Sequence, residues 1–157
     1  TTADLLNKFT DIGQPLLLET LEFVAKGTTR KQPQDNDAAT YAHKIQKSEA
    51  MINWQQDAQQ VDRVVRAFNP DPIAFTFLDK TRVKIHSGRM VKSGLYNPGT
   101  ILELSSEGLM VGCGKEAYLI EKIQLPIGKG AVLSGADMLN GWTDTFEIGS
   151  TFKETPG

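Results

Sequence analysis

Between Lys80 and Tyr96 the chain carries Lys80, Arg82, Lys84, Arg89 and Lys92 and not one carboxylate. Lysine and arginine gathered in so short a stretch suit a polyanion, because they neutralise phosphates and release the counterions held there. Other chemistry is thinly represented. The two histidines, His43 and His86, stand far apart, with no cysteines or paired carboxylates at metal-ligand spacing. Ser87, Ser93 and Ser134 lack a histidine or acid partner identifiable from spacing, which argues against a nucleophile. The single cysteine, Cys113, excludes an internal disulfide and fits a reducing compartment. Within Leu109-Met110-Val111-Gly112-Cys113-Gly114 it reads as a small buried hydrophobe. Gly112-Cys113-Gly114 and Gly128-Lys129-Gly130 lack the spacing of phosphate-cradling loops and read as turns.

The charge distribution sharpens the first point. The 157 residues carry a net charge of −2, which by itself argues against an obligate nucleic-acid binder. Residues 1–43 have a net charge of −2, residues 44–96 of +4 and residues 97–157 of −4. A basic segment between acidic ones has the form of an electrostatic footprint for a phosphate backbone. Lys44, Lys47, Arg63 and Arg66 extend the set upstream of Lys80. With 39% hydrophobic and 23% charged residues the chain can bury a modest core. No apolar run approaches the roughly 18 residues of a membrane helix, and the first 25 residues lack the pattern of a signal peptide. The expected location is cytoplasmic.

The elements that must hold these residues follow from periodicity. Ala3 to Gly27 is expected to be helical, with Thr2 as cap, Asp4 near the positive end of the helix dipole and Gly27 at C′. Gly13 and Pro15 interrupt it, which leaves open a hairpin or one bent helix. Thr28 to Thr40 has the composition of a linker, and Tyr41 to Ile52 is expected to be extended to partly helical. Asp57 can cap a helix to about Phe68, with Val61, Val64, Val65 and Phe68 on one face, ended by Asn69-Pro70. From Ile73 the period becomes two. Strands are expected at Ala74–Leu78, Arg82–His86, Met90–Val91, Thr100–Leu104, Leu109–Cys113 and Tyr118–Ile123, a spacing that suits a small barrel or curled sheet. Arg82, Lys84 and His86 would share one face. Ser134 can cap a short late helix. Trp54, Phe68, Phe75 and Phe77 could stack on bases, but each follows the apolar period of its segment and is expected in the core. Asn69 is expected to satisfy local backbone groups before Pro70.

An ordered set of motifs carries a resemblance. Pro33-Gln34-Asp35 precedes Ala39-Thr40-Tyr41-Ala42-His43-Lys44-Ile45, Glu49-Ala50 and Ile52-Asn53-Trp54. Arg66-Ala67-Phe68-Asn69-Pro70-Asp71-Pro72, Pro98-Gly99-Thr100-Ile101-Leu102, Gln124-Leu125-Pro126 and Ser134-Gly135-Ala136-Asp137-Met138-Leu139 follow in turn. In this order and at these gaps, the set resembles the C-terminal part of the methionyl-tRNA formyltransferase family over nearly the whole chain. The resemblance implies an α+β fold: an N-terminal helical segment and linker, then a small OB-like Greek-key β-barrel with one leading and one short late helix. Residues 1–27 would close a catalytic domain, 28–55 would be the linker and 56–157 the barrel domain.

The same resemblance implies an activity for the parent enzyme, transfer of formyl from 10-formyltetrahydrofolate to the methionyl amine of initiator tRNA. The family's Asn-His-Asp catalytic set has no match here, so no catalytic residue and no cofactor is expected in this chain. The implied partners are initiator Met-tRNA and the enzyme's own N-terminal catalytic domain, in a monomer with no membrane contact. The candidate RNA-binding residues are then Lys44, Lys47, Arg63, Arg66, Lys80, Arg82, Lys84, Arg89 and Lys92. The chain departs from the family pattern where Asp71 replaces the usual Trp between the prolines, where the late lysine run is thinned to Gly128-Lys129-Gly130, and in its acidic closing segment with Asp144, Glu147 and Glu154. These departures predict weaker tRNA contacts. They leave as rivals the equivalent domain of a sugar-nucleotide formyltransferase or formyltetrahydrofolate hydrolase-type enzyme, and a module that only packs against its catalytic domain.

Overall fold

The computed structural model describes residues 1–91, 94–128 and 130–156. The chain divides into two compact units, Ala3–Gln46 and Lys47–Gly157 with Thr1–Thr2. In the first, α1 runs unbroken from Thr2 to Ala25 with Pro15 inside it. The hairpin left open by the sequence does not form. Pro15 removes one intrahelical donor and crowds the carbonyl four residues before it, but the helix runs on through it. Gly27, at φ 65°, ends α1 as expected. The Thr28 N–H bonds the Phe23 carbonyl and the Gly27 N–H that of Val24, a paired closure that satisfies two orphan carbonyls. Beyond α1 the only regular element before Gln46 is a 3₁₀ turn at Asn36–Ala38.

The second unit is α+β and is built on a curled antiparallel sheet. Its strands are β1 (Ala74–Leu78), β2 (Thr81–Val91), β3 (Ile101–Ser105), β4 (Gly108–Gly112), β5 (Ala117–Gln124), β6 (Val132–Ser134) and β7 (Phe152–Lys153). The order is β3-β4-β5-β2-β1-β7, with β6 pairing β5. The two ends of this path meet: the Ile101 N–H bonds the Ser150 carbonyl, and the Phe152 N–H bonds that of Gly99. Helix α2 (Ala58–Ala67) is capped by Asp57, whose carboxylate accepts from the Gln60 N–H. It buries Ala58, Val61 and Val65, with Val64 and Phe68 partly buried against the same core. Helix α3 (Gly135–Gly141) starts with a reciprocal capping box between Ser134 and Asp137. The core holds Val83, Ile85, Ile101, Leu109, Val111, Tyr118, Ile120 and Ile123, and also Ile52 and Trp54 from the stretch before α2.

Two strands foreseen separately, Arg82–His86 and Met90–Val91, are one strand of 11 residues. The interruption is a bulge, where the register against β5 shifts between Ile85 and Gly88. An extra residue leaves backbone groups without ladder partners. Here the Asn69 side chain donates to the His86 carbonyl at 2.6 Å. Asn69 therefore ties the end of α2 to the bulge instead of serving the local turn before Pro70.

Candidate nucleic-acid interface

Strand alternation on β2 sorts the basic residues. Val83 and Ile85 are fully buried, so Arg82, Lys84 and His86 face outward. Parity alone would send Arg89 to the core side with Val83 and Ile85. The bulge switches the phase, so that Met90 packs toward the core and Arg89 is exposed. The bulge is thus what brings Arg82, Lys84 and Arg89 to the outer face.

Their electrostatic surroundings differ. Arg89 pairs with Glu107 and, at 3.3 Å, with Glu121, and Glu103 lines the same groove. That end of the strand is not free positive charge. Arg82 and Lys84 take part in no ion pair among the described residues. The Arg82 guanidinium instead lies 3.7 Å from the centre of the Phe75 ring, a cation–π contact. Two positions apart on a strand, the Arg82 and Lys84 backbones sit roughly 7 Å apart on the same face.

Neighbouring groups are held firmly. Lys84 stands opposite Gln124 on β5. The Gln124 amide nitrogen donates to the Gly130 carbonyl, so its oxygen faces His86 Nε2 at 3.1 Å. A carbonyl oxygen accepts, which requires His86 to carry a proton on Nε2. Arg82, Lys84, Gln124, Leu125, Pro126 and Gly130 enclose a cleft of about 160 Å³ that, among the described residues, contains no carboxylate. Sequence reasoning missed Gln124 and Gly130 as wall residues, since only strand register and the 124–130 connector bring them to Lys84. It also expected Phe75 and Phe77 in the core together with Trp54; Phe75 is buried, at 7% exposure, and Phe77 is partly buried. Trp54 is there, donating to Thr76. Phe75 and Phe77 lie in register with Lys84 and Arg82, on the outer side of β1, edge to face with each other.

The other candidates are dispersed. Lys80 occupies the two-residue Asp79-Lys80 turn between β1 and β2, where Asp79 has φ 52°. Arg63 and Arg66 lie on α2. Arg66 is bound to Asp62 at 2.7 Å, and the buried Tyr118 hydroxyl reaches the same carboxylate; burial pushes that phenol's pKa up. Lys47 begins a 3₁₀ turn in the second unit, whereas Lys44 belongs to the first. Lys92 lies outside the described residues, as do Ser93 and Lys129. Cys113 is buried, and desolvation, with Asp57 and Glu116 adding to it, pushes its thiol up to about 12. It is an inert core residue. Among the described residues no group of three His, Cys, Asp or Glu could hold a metal ion, and no helix is long and apolar enough to cross a membrane.

Residues 44–143 match the model of the formyl transferase C-terminal domain. The chain belongs to that family. The formyl transferase chain is 37% identical over 155 residues to a methionyl-tRNA formyltransferase of Pseudomonas fluorescens, covering 99% of this chain and 48% of the relative. It is 39% identical over 152 residues to that of Coxiella burnetii, covering 96% and 48%. The chain therefore spans about half the length of the curated relatives it matches. Among solved structures, HypX from Aquifex aeolicus in complex with tetrahydrofolic acid is similar in fold. Its TM-score is 0.61 at 22% identity, with 81% of this chain and 22% of HypX covered.

Proposed function

We propose that this chain is the tRNA-binding and positioning part of a methionyl-tRNA formyltransferase. That enzyme moves a formyl group from 10-formyltetrahydrofolate to the amino group of methionine on initiator tRNA. The observation that carries the reading is the outer face of β2, where Arg82 and Lys84 stand without carboxylate partners in a chain similar throughout to methionyl-tRNA formyltransferases. Holding the tRNA arm would raise the effective concentration of the methionyl amine at a reaction centre elsewhere in the enzyme. Lys44, Lys47, Arg63, Arg66, Lys80, Arg89 and Lys92 are retained as secondary phosphate contacts. Arg66 and Arg89 must exchange a carboxylate for each phosphate they take.

The fold is read as an OB-like Greek-key barrel. In support, the connection from β2 to β3 skips past β5 and β4, and backbone bonds join the two ends of the strand path. Residues 1–27 are read as the closing helix of the catalytic domain and 28–55 as the linker. On α1, Leu5, Phe9, Ile12, Leu17 and Leu21 are each more than half exposed, and an apolar surface of that extent requires a partner. The enzyme so assembled would be a cytoplasmic monomer. The test is a titration of the isolated chain with tRNA at low and moderate salt. Binding that weakens with salt is expected, and no binding at low salt refutes the reading.

A further inference from the structure

We propose that the cleft between β2 and the 124–130 connector seats a single phosphate group, the phosphodiester of an RNA strand. The source of the phosphate rests on the tRNA reading; the seat itself does not. Three observations converge on it. The Arg82 Nε is buried and has no hydrogen-bond partner, so one donor of a permanently charged group is unsatisfied. The guanidinium is fixed flat against Phe75 at 3.7 Å, which holds its planar fork in one orientation before a ligand arrives. Arginine in that state binds an oxyanion through two parallel N–H groups. Lys84 supplies a second cation on the same face, and among the described residues no acid lines the cleft.

Size and walls agree with a tetrahedral oxyanion. The cleft, about 160 Å³ and open on one side, has room for a tetrahedral oxyanion together with some of its water. Gln124 is tied on both sides, to Gly130 and to His86, so the wall opposite Lys84 does not need to reorganise on binding. His86 Nε2 donates to Gln124 on the same side. Leu125 and Pro126 give the cleft an apolar wall that limits competition from water.

The experiment follows backbone amides of the 157-residue chain by NMR during titration with inorganic phosphate and, separately, with a short single-stranded oligoribonucleotide. Saturable shifts at residues 82, 84, 124 and 130 are expected with both. R82Q should weaken both by about tenfold, and R82K, which keeps the charge but loses the fork, by several-fold. F75L should weaken phosphate by a few-fold by releasing the guanidinium. An unchanged spectrum away from the cleft verifies that each variant is folded, including F75L, whose Phe75 is buried. Phosphate shifts that are absent, or spread over every basic residue, or unaffected by R82Q, overturn the seat even if tRNA binds. Phosphate shifts in the cleft with oligoribonucleotide binding indifferent to R82Q overturn the RNA source and leave the seat to a free phosphate.

Discussion

Thr76 is the buried polar residue on which the position of the outer face depends, and T76V should cost the second unit about 1–2 kcal/mol. Its hydroxyl accepts from the Trp54 indole N–H at 3.0 Å and donates to the Lys153 carbonyl at 3.0 Å. One side chain thereby joins the stretch before α2, β1 and β7. Valine has nearly the same shape and cannot make either bond. The Trp54 N–H, on a residue 2% exposed, would be left unpaired, at about 1–3 kcal/mol. Lys153 is exposed, so its carbonyl recovers water and adds little. The new methyl returns about 0.8 kcal/mol. For a unit of this size the net loss lowers Tm by about 4–10 °C. Urea unfolding of wild type, T76V, W54F and the double variant measures it. In the W54F background the orphaned donor is already gone, so T76V should cost less than about 0.5 kcal/mol, a coupling near 1 kcal/mol. An equal cost of T76V in both backgrounds refutes the reasoning.

Two further perturbations probe the same scaffold. A Cβ at Gly88 would stand 2.5 Å from the Tyr118 ring and 2.4 Å from the Leu119 carbonyl, so G88A should destabilise by about 1–3 kcal/mol or more and lower the urea midpoint, whereas the same change at Gly13, open and inside helix α1, should if anything stabilise that helix, by about 0.5–1 kcal/mol. The Asp137 carboxylate is held below its usual pKa by the Ser134 hydroxyl and backbone N–H; its contribution is therefore full above the unfolded carboxylate pKa, about 3.9, and is lost as pH falls through the lower folded value. D137N should flatten that part of the stability-against-pH profile, and a profile identical to wild type would count against the capping box.

The legible part of this molecule was set by local rules. Asp57 and Ser134 cap their helices because a short polar side chain before an apolar face has few other uses. The strands expected at Ala74–Leu78 and Leu109–Cys113 follow from the change to a period of two between turn residues, and form at Ala74–Leu78 and Gly108–Gly112. What stayed hidden depended on register. No local pattern shows that an extra residue near His86 reverses the face of every later side chain on β2, and therefore that Arg89 turns outward toward Glu107 and Glu121. Asn69 looked like a turn residue because its partner, the His86 carbonyl, is orphaned only by that bulge. Phe75 is buried as its apolar period suggests, but on the face of β1 that carries Lys84 in register, since Thr76 and not Phe75 joins Trp54. The cleft was illegible for the same reason: Gln124 and Gly130 meet Arg82 and Lys84 only through pairing between β2 and β5.

The distribution of ion pairs sets how strongly salt should act on RNA binding. A cation that is free in the unbound chain releases a counterion from the nucleic acid, with a slope of about 0.7 per phosphate on a single strand. Arg66 and Arg89 enter already neutralised by Asp62 and by Glu107 with Glu121, so each must break an existing pair to make a new one. If only Arg82 and Lys84 engage, the slope of log K against log salt should lie near −1.4; if all nine candidates engage, it should lie near about −6. The acidic groups flanking Arg89 favour the shallow value, because a strand drawn past Arg82 and Lys84 meets net negative charge one bulge further along β2. Fluorescence anisotropy of a labelled oligoribonucleotide at a series of salt concentrations measures the slope. A value near −6 in wild type would mean that the pairs at Arg66 and Arg89 open on binding, and removing the acid, as in E107Q, should then tighten binding. A shallow slope that R82Q reduces to about −0.7 would confine the RNA contact to the Arg82–Lys84 cleft.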